Sequence, residues 1–94
     1  MSQYTDPKVW GSHFWFVMRC VANNYNKSSK NSPTIREKRE IRTFFTNLKY
    51  ILPCEKCKIH YAELLKQYPL EKSLCCKSCL IKWVEIIYKN TIVV

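Results

Sequence analysis

A single glycine, Gly11, stands in a chain of 94 residues, and this scarcity limits the fold more than any other feature. With many Lys, Glu, Leu and Ile around it, the near absence of glycine favours helices over sheets. A chain of this length makes one domain and buries only roughly 60 to 65% of its unfolded surface, so its core is small. We therefore predict a single all-α domain over residues 1–94. Because its core is small, we expect it to need a further stabilising interaction besides hydrophobic packing.

Two helices are predicted in the first half of the chain. Asp6 is a good N-cap, and Pro7 follows it at the first helical position, where the missing N–H costs nothing. The polar, turn-rich stretch 24–33 indicates a loop. Thr34 and Glu37 form the capping box that begins the second helix.

Two more helices are predicted in the second half. Pro53 ends the second helix, the third begins near Cys54 and closes at Pro69, and Ser73 can cap a fourth that runs to the end of the chain. The predicted buried faces, with spacings of three and four, are Trp10, Phe14, Val17, Met18, Val21 and Tyr25; Ile41, Phe44, Phe45, Leu48, Ile51 and Leu52; Ile59, Ala62, Leu65 and Tyr68; and Cys76, Leu80, Trp83, Val84 and Ile87. Short connections make the last three helices antiparallel neighbours. We predict a compact four-helix bundle with a Cys-x-x-Cys pair at the start of the third helix.

The charge balance is strongly basic, with sixteen Lys and Arg against seven Asp and Glu and a net charge of +9. An acidic partner such as nucleic acid is one explanation, but the basic residues are spread out and form no regular stripe with interleaved aromatics. We interpret them as a solvated cationic surface.

No apolar run approaches the roughly 18 residues that cross a bilayer, and the N-terminus lacks a signal-peptide pattern, so we predict a cytoplasmic protein without a membrane span.

Cysteine is unusually frequent for a cytosolic chain, which points to redox chemistry or metal binding. The six cysteines are Cys20, Cys54, Cys57, Cys75, Cys76 and Cys79. Two Cys-x-x-Cys pairs, separated by eighteen residues, match the spacing of a four-cysteine zinc site. If residues 55–67 form a helix, however, they span roughly 20 Å and place the two pairs at opposite ends of the bundle. We therefore predict no metal site.

The Cys54–Cys57 pair at a helix N-terminus suits redox chemistry. The helix dipole, with Lys56 and Lys58 nearby, favours the thiolate of Cys54. A thiolate is the nucleophile that disulfide exchange requires. The pair alone leaves a structural disulfide and two isolated thiols open as alternatives.

The aromatic context of the pair resembles the Erv/ALR type of FAD-linked sulfhydryl oxidases. The resemblance covers most of residues 8–90 and rests on "WGSHFWFVMRCVANNY", "FFTNLKYILPCEKCKIHYAELLKQYP" and "CLIKWVEIIYKN". The residues that fit the family positions, in order, are Trp10, Gly11, Trp15, Pro53, Cys54, Cys57 and Trp83. The chain is therefore identified as a short, divergent member, of a kind common in large cytoplasmic DNA viruses.

The resemblance implies a four-helix bundle, typically dimeric, that oxidises protein dithiols and passes electrons to oxygen through FAD. Cys54 would meet the substrate, and Cys57 would lie nearest the flavin. The implied cofactor pocket includes Gly11, Trp15, Tyr25 and Trp83, with His60, on the helix of Cys57, as a further candidate.

Departures from the family fall on the cofactor site. Arg19 takes the place of a usual His, and Tyr88 and Lys89 stand where the family has His-Asn. In a divergent oxidase, Tyr88 would stack on the adenine while Arg19 or Lys89 meets the pyrophosphate. Alternatively, the fold persists without flavin as a structural or binding subunit, for example a minor capsid protein of the virion in the host cytoplasm. A four-cysteine zinc module that binds nucleic acid is the weakest of the three hypotheses.

A second disulfide is a further hypothesis, for the pair Cys76 and Cys79. It would relay electrons, fasten the chain locally or form part of an intermolecular bridge. Cys75 and Cys20 are left without an assigned partner, because connectivity does not follow from sequence.

Overall fold

A computed structural model describes residues 2–27 and 31–92 of the chain. Its elements are α1 (Pro7–Asn23), α2 (Ile35–Ile51), α3 (Glu55–Gln67), a 3₁₀ turn (Glu71–Ser73) and α4 (Lys77–Ile92). Within these described ranges there is no strand, and the predicted all-α four-helix bundle is confirmed. Residues 28–30 of the predicted loop, and residues 93 and 94 of the predicted last helix, lie outside the described residues.

The predicted helix starts follow from capping side chains. Asp6 precedes α1, and its carboxylate accepts the Lys8 backbone N–H at 3.0 Å. At α2, the Thr34 hydroxyl accepts the Glu37 N–H at 3.0 Å while the Glu37 carboxylate accepts the Thr34 N–H at 2.9 Å. Both predicted caps are confirmed, and each satisfies backbone donors that a helix N-terminus leaves unpaired.

The predicted cap of the fourth helix is wrong. Ser73 belongs to the 3₁₀ turn, and α4 begins four residues later at Lys77. Leu74, only 1% exposed, follows the turn and anchors it in the core. The sulfur of Cys76 accepts the Cys79 backbone N–H at 3.3 Å, and this contact supplies the cap instead.

The core forms where α1 packs along α4 and α2 packs against α3, with α3 also contacting α4. Its most deeply buried large side chains are Phe45, Leu48, Leu74, Leu80, Val84 and Ile87. Phe45 also meets Trp83 edge to face, with ring centroids 5.3 Å apart. This core joins the helices into the one bundle that carries the site.

Three apolar residues of the predicted faces are exposed instead of buried: Val17, Ile51 and Ile59. On α3 the buried face is that of Tyr61 and Leu64. Ile59 lies two positions from Tyr61, and two positions are roughly 200° around a helix of 3.6 residues per turn. The same periodicity therefore turns Ile59 to solvent.

Among the described helices, none is both long enough and apolar enough to cross a membrane.

Candidate functional site

The Cys54–Cys57 pair lies where Pro53 separates α2 from α3. Cys54 is the N-cap of α3, with extended backbone (φ −140°, ψ 127°), and its sulfur accepts the Cys57 backbone N–H at 3.4 Å. Cys57 sits one turn later on the helix and is half-buried. Both cysteines therefore lie in the first turn of α3, at the positive end of its helix dipole.

The two thiols of this pair differ in acidity. The pKa of Cys54 is lowered by a hydrogen bond from the Cys57 thiol, by the backbone N–H groups of Cys57 and Lys56, and by the Lys56 charge. Burial raises the pKa of Cys57 to about 11, and the hydrogen bond to Cys54 and the charge of Cys54 add to this effect. Deprotonation of the pair therefore produces a thiolate on Cys54, while Cys57 keeps its proton.

An aromatic cavity of about 780 Å³ opens beside Cys57. Helices α1, α3 and α4 contribute most of its wall, Leu48 comes from the end of α2, and Leu52 is the C-cap of that helix. Cys57 lies in this wall, whereas Cys54 is not among the lining residues. A volume of this size, with a mostly apolar wall, is typical of cofactor and small-molecule sites. One residue of the pair, Cys57, thus borders the cavity, and Cys54 does not line it.

Two aromatic pairs shape the cavity wall. Trp10 meets Phe14 edge to face at 5.1 Å between ring centroids, and Trp15 meets Tyr88 in the same manner at 5.1 Å. The indole Nε1 of Trp10 is buried without a hydrogen-bond partner in the part of the chain that the structure describes. An unpaired buried donor of this kind costs free energy unless a ligand accepts from it.

Four of the predicted cofactor residues lie together in the cavity wall: Gly11, Trp15, His60 and Tyr88. His60 also has its Nε2 3.4 Å from the backbone oxygen of Asn90, which joins α3 to the last turn of α4.

Arg19 lies behind the cavity instead of in its wall. Its guanidinium donates to both carboxylate oxygens of Glu85, at 2.8 and 3.1 Å, and stacks 4.5 Å from the ring centroid of Tyr88. The Glu85 carboxylate raises the pKa of Arg19, and Arg19 in turn lowers the pKa of Glu85. The charge predicted to meet a pyrophosphate is therefore already paired.

The remaining three predicted residues are not among those that line the cavity. Tyr25 is buried and donates its hydroxyl to the backbone oxygen of Leu74 at 2.7 Å. Trp83 is buried and donates Nε1 to the backbone oxygen of Tyr68 at 2.8 Å. Lys89 is exposed on the last turn of α4. Tyr25 and Trp83 thus have structural contacts that satisfy their polar atoms.

Several wall residues were not assigned to the site by sequence: Lys8, Phe14, Met18, Lys56 and Tyr61. By their spacing, Phe14 and Met18 belong to the ordinary core, because they continue the apolar face of α1. Lys8 and Lys56 occupy the first turns of α1 and α3, and neither forms a salt bridge with a described residue. The sequence does not show that these two lysines border one cavity, because the starts of α1 and α3 come together only in the packed bundle.

A second cluster of sulfurs lies at the start of α4. Cys79 Sγ is 2.9 Å from Cys76 Sγ and 3.3 Å from Cys75 Sγ. Hydrogen bonds from the thiol of Cys79 and from Ser78 lower the pKa of Cys76 to about 6, while the pKa of Cys79 is raised to about 12 by its thiol contacts with Cys76 and Cys75. Cys75 and Cys76 also border an open depression of about 510 Å³.

The two Cys-x-x-Cys pairs do not converge. In the described part of the chain, the group of potential metal ligands within 4.8 Å of one another comprises Cys75, Cys76 and Cys79, without Cys54 or Cys57. Cys20 is exposed on α1 and belongs to neither pair.

Fold and site together define an all-α bundle with a Cys-x-x-Cys pair beside an aromatic cavity. Over 78 residues, or 82% of its length, the chain is 38% identical to a protein of Acanthamoeba polyphaga mimivirus named "Probable FAD-linked sulfhydryl oxidase". Over 67 residues, or 71%, it is 28% identical to a protein of Invertebrate iridescent virus 3 that carries a similar provisional name, FAD-linked sulfhydryl oxidase. The chain belongs to the Erv/ALR-type sulfhydryl oxidase family, as its sequence predicted.

The chain spans about half the length of these curated relatives, 52% of the first and 43% of the second. No family model matches the chain. No solved structure matches it either.

Proposed function

We propose that this chain is the catalytic domain of an FAD-linked thiol oxidase that forms disulfides in protein substrates. The observation that carries the proposal is the placement of the pair: Cys57 lies in the wall of the aromatic cavity, and Cys54 caps the helix outside it. The names of the two viral relatives point to the same activity.

The cavity fits a flavin in three respects. Its volume and aromatic wall suit a planar ring system, and the unpaired Trp10 Nε1–H is a donor that an isoalloxazine acceptor would satisfy. Apart from the adjoining residues of its own helix, a Cβ placed on Gly11 would meet no atom of the described residues within 4 Å, so this stretch of α1 leaves open space. The residues proposed to hold FAD are Trp10, Gly11, Trp15, His60 and Tyr88, with Lys8 and Lys56 as cations for the pyrophosphate. Bound FAD would accept electrons from a dithiol and deliver them to oxygen.

The substrate half of the reaction is carried by the two cysteines. In the oxidised pair, a substrate thiolate attacks Cys54 Sγ, the Cys54–Cys57 bond breaks, and Cys57 leaves with the electron pair and takes up a proton. A second substrate thiolate then attacks the substrate sulfur of the mixed disulfide and releases Cys54 as a thiolate. The substrate gains a disulfide, and the pair gains two electrons.

The lowered pKa of Cys54 favours the second of these steps, since a thiol of lower pKa is the better leaving group. Release of the substrate disulfide is therefore faster than it would be from an ordinary cysteine. After this step the Cys57 thiol lies in the cavity wall, next to the place where the proposed FAD would bind. The two electrons gained by the pair would pass from there to the cofactor.

The test is an absorbance spectrum of the purified full chain, followed by dithiothreitol-dependent oxygen consumption. We expect a yellow protein with near-stoichiometric flavin. Cys57→Ser should abolish oxygen consumption, whereas Cys20→Ser, which alters an exposed thiol outside both pairs, should not. A folded, colourless protein that takes up no flavin on reconstitution would reject the proposal in favour of a flavin-free structural or binding subunit.

A homodimer and a site of action in the host cytoplasm complete the proposal. Helix α1 exposes Val9, Phe16 and Val17, and residues 9–18 include no Lys, Arg, Asp or Glu. In a chain of net charge +9, this uncharged face is where a second copy can approach with the least repulsion. The viral relatives support the cytoplasmic setting.

A further inference from the structure

The cysteine cluster at the start of α4 contains one more thiol than a disulfide needs. Cys79 contacts Cys76 at 2.9 Å and Cys75 at 3.3 Å between sulfurs, and all three sulfurs lie within 4.8 Å of one another. These distances place the sulfurs at the corners of a triangle. Attack of one thiolate on a disulfide requires three sulfurs nearly in line, so the arrangement is less suited to exchange among the three than to shared ligation.

The triangle has nearly the dimensions of a metal site. Sulfurs bound at 2.3 Å to a tetrahedral ion stand about 3.8 Å apart, so the two short contacts need to open by less than about 1 Å. Cys75 is exposed and Cys76 and Cys79 are half-buried, so rotation of these side chains meets little obstruction. The Cys79 backbone N–H, which donates to Cys76 Sγ at 3.3 Å, stabilises negative charge on that sulfur.

We propose that Cys75, Cys76 and Cys79, in their reduced form, bind one thiophilic metal ion, Zn²⁺ or Cu⁺. Thiolates prefer these ions to hard cations such as Mg²⁺ or Ca²⁺. Among described residues no His, Asp or Glu joins the cluster, so the fourth ligand would come from solution, and Cys75 and Cys76 border an open depression through which it can approach. The site is separate from the Cys54–Cys57 pair and does not depend on the proposed oxidase activity.

The proposal also changes the interpretation of the pair Cys76 and Cys79. A Cys76–Cys79 disulfide and a bound metal use the same two sulfurs, so one excludes the other. The site also differs in its ligands from the four-cysteine zinc site that the sequence spacing suggests. That site would use both Cys-x-x-Cys pairs, whereas this one combines Cys76 and Cys79 with Cys75.

The test measures metal binding by the full chain, reduced with a phosphine and kept anaerobic. A chromophoric chelator competes for Zn²⁺, and bicinchoninate competes for Cu⁺. We expect one ion per chain to be held against at least one of these two competitors. Cys75→Ser should weaken binding at least about tenfold, since losing even a partner of a ligand costs about 10- to 100-fold. Because Cys75 is exposed, this variant should fold, which its helical circular dichroism checks.

The matched control is the double variant Cys54→Ser/Cys57→Ser, which should bind the ion as the unmodified chain does. Three results would overturn the proposal: no ion held against either competitor, equal binding by Cys75→Ser and the unmodified chain, or a thiol count showing that the Cys76–Cys79 disulfide persists in the phosphine.

Discussion

At the scale of single residues, the site depends on the unequal surroundings of two sulfurs. Cys54 receives hydrogen bonds at the start of α3, and Cys57 is desolvated in the cavity wall. This inequality follows from the position of the motif on the helix, because the N-cap side chain faces the free N–H groups and the residue three positions later faces inward.

The unequal acidity predicts the pH dependence of alkylation. The pKa of Cys54 lies below its ordinary value of 9.0, so in the reduced protein the midpoint of its reaction with iodoacetamide should lie below pH 9.0. Cys57, with a pKa of about 11, should react slowly across that range. Mass spectrometry of peptides quenched at each pH measures both rates. The midpoint for Cys54 should return to its ordinary value in urea, and an unchanged midpoint would contradict the assignment.

Gly11 permits a test of the cavity that separates folding from cofactor binding. Apart from the adjoining residues of α1, a methyl group at this position meets no atom of the described part of the chain within 4 Å, so Gly11→Ala should raise the stability of the flavin-free chain by about 0.5 to 1 kcal/mol through helix propensity. The same methyl should reduce flavin retention if the ring lies against α1. Urea unfolding and flavin content measure the two effects. Unchanged flavin content in a stabilised protein would place the cofactor elsewhere in the cavity.

Sequence indicated the residue types of the site better than their roles. Gly11, Trp15 and Tyr88 line the cavity, but so do Phe14 and Met18, which the apolar periodicity of α1 marks only as core. Arg19 could not be placed from sequence because its partner, Glu85, is 66 positions away.

At the scale of helices, the capping box of α2 is the clearest link between sequence and structure. Thr34→Ala removes the acceptor for the Glu37 N–H and should lower the free energy of unfolding by about 1 kcal/mol. Thr43→Ala is the matched control, since Thr43 is exposed in the middle of α2 and makes no cap. Chemical denaturation compares the two. Equal effects would show that the box contributes nothing specific.

The ion pair between α1 and α4 predicts a pH-dependent stability. The pKa of Glu85 is lowered by Arg19, so the pair stabilises the fold fully above the ordinary carboxyl pKa of 4.5 and loses its effect as pH falls through the lowered value. Both side chains are more than a third exposed, so solvent limits the contribution to about 0.2 to 1 kcal/mol. Glu85→Gln should therefore cost this much at pH 7, and the cost should shrink as the pH falls below 4.5 towards the lowered pKa of Glu85. A cost that did not change as the pH fell below 4.5 would point to packing rather than charge.

Helix boundaries were predictable where local chemistry sets them and not where packing does. Asp6, Thr34 and Pro53 act on their own neighbouring backbone, and the predicted ends there are confirmed. Ser73 has the chemistry of a cap, but burial of Leu74 fixes a 3₁₀ turn at that point and delays α4. That competition between a local preference and the core is not visible in the sequence.

At the scale of the whole molecule, the proposed dimer has a direct test. Phe16 is 67% exposed on the uncharged face of α1, so Phe16→Glu should convert a dimer to a monomer in light scattering without loss of helix. Ile35→Glu is the matched control, because Ile35 is 84% exposed at the start of a different helix, α2. A dimer that survives Phe16→Glu, or dissociates equally in both variants, would exclude this face.

The positions of the three tryptophans make intrinsic fluorescence a measure of both the cavity and the core. Trp10 and Trp15 line the cavity, while Trp83 is buried in the core with its indole N–H bonded to Tyr68. A ligand that enters the cavity lowers the intensity of the emission, the first two tryptophans being in contact with it, whereas unfolding shifts the emission of all three to longer wavelength. Occupancy of the cavity and integrity of the core can therefore be followed separately in one unlabelled sample.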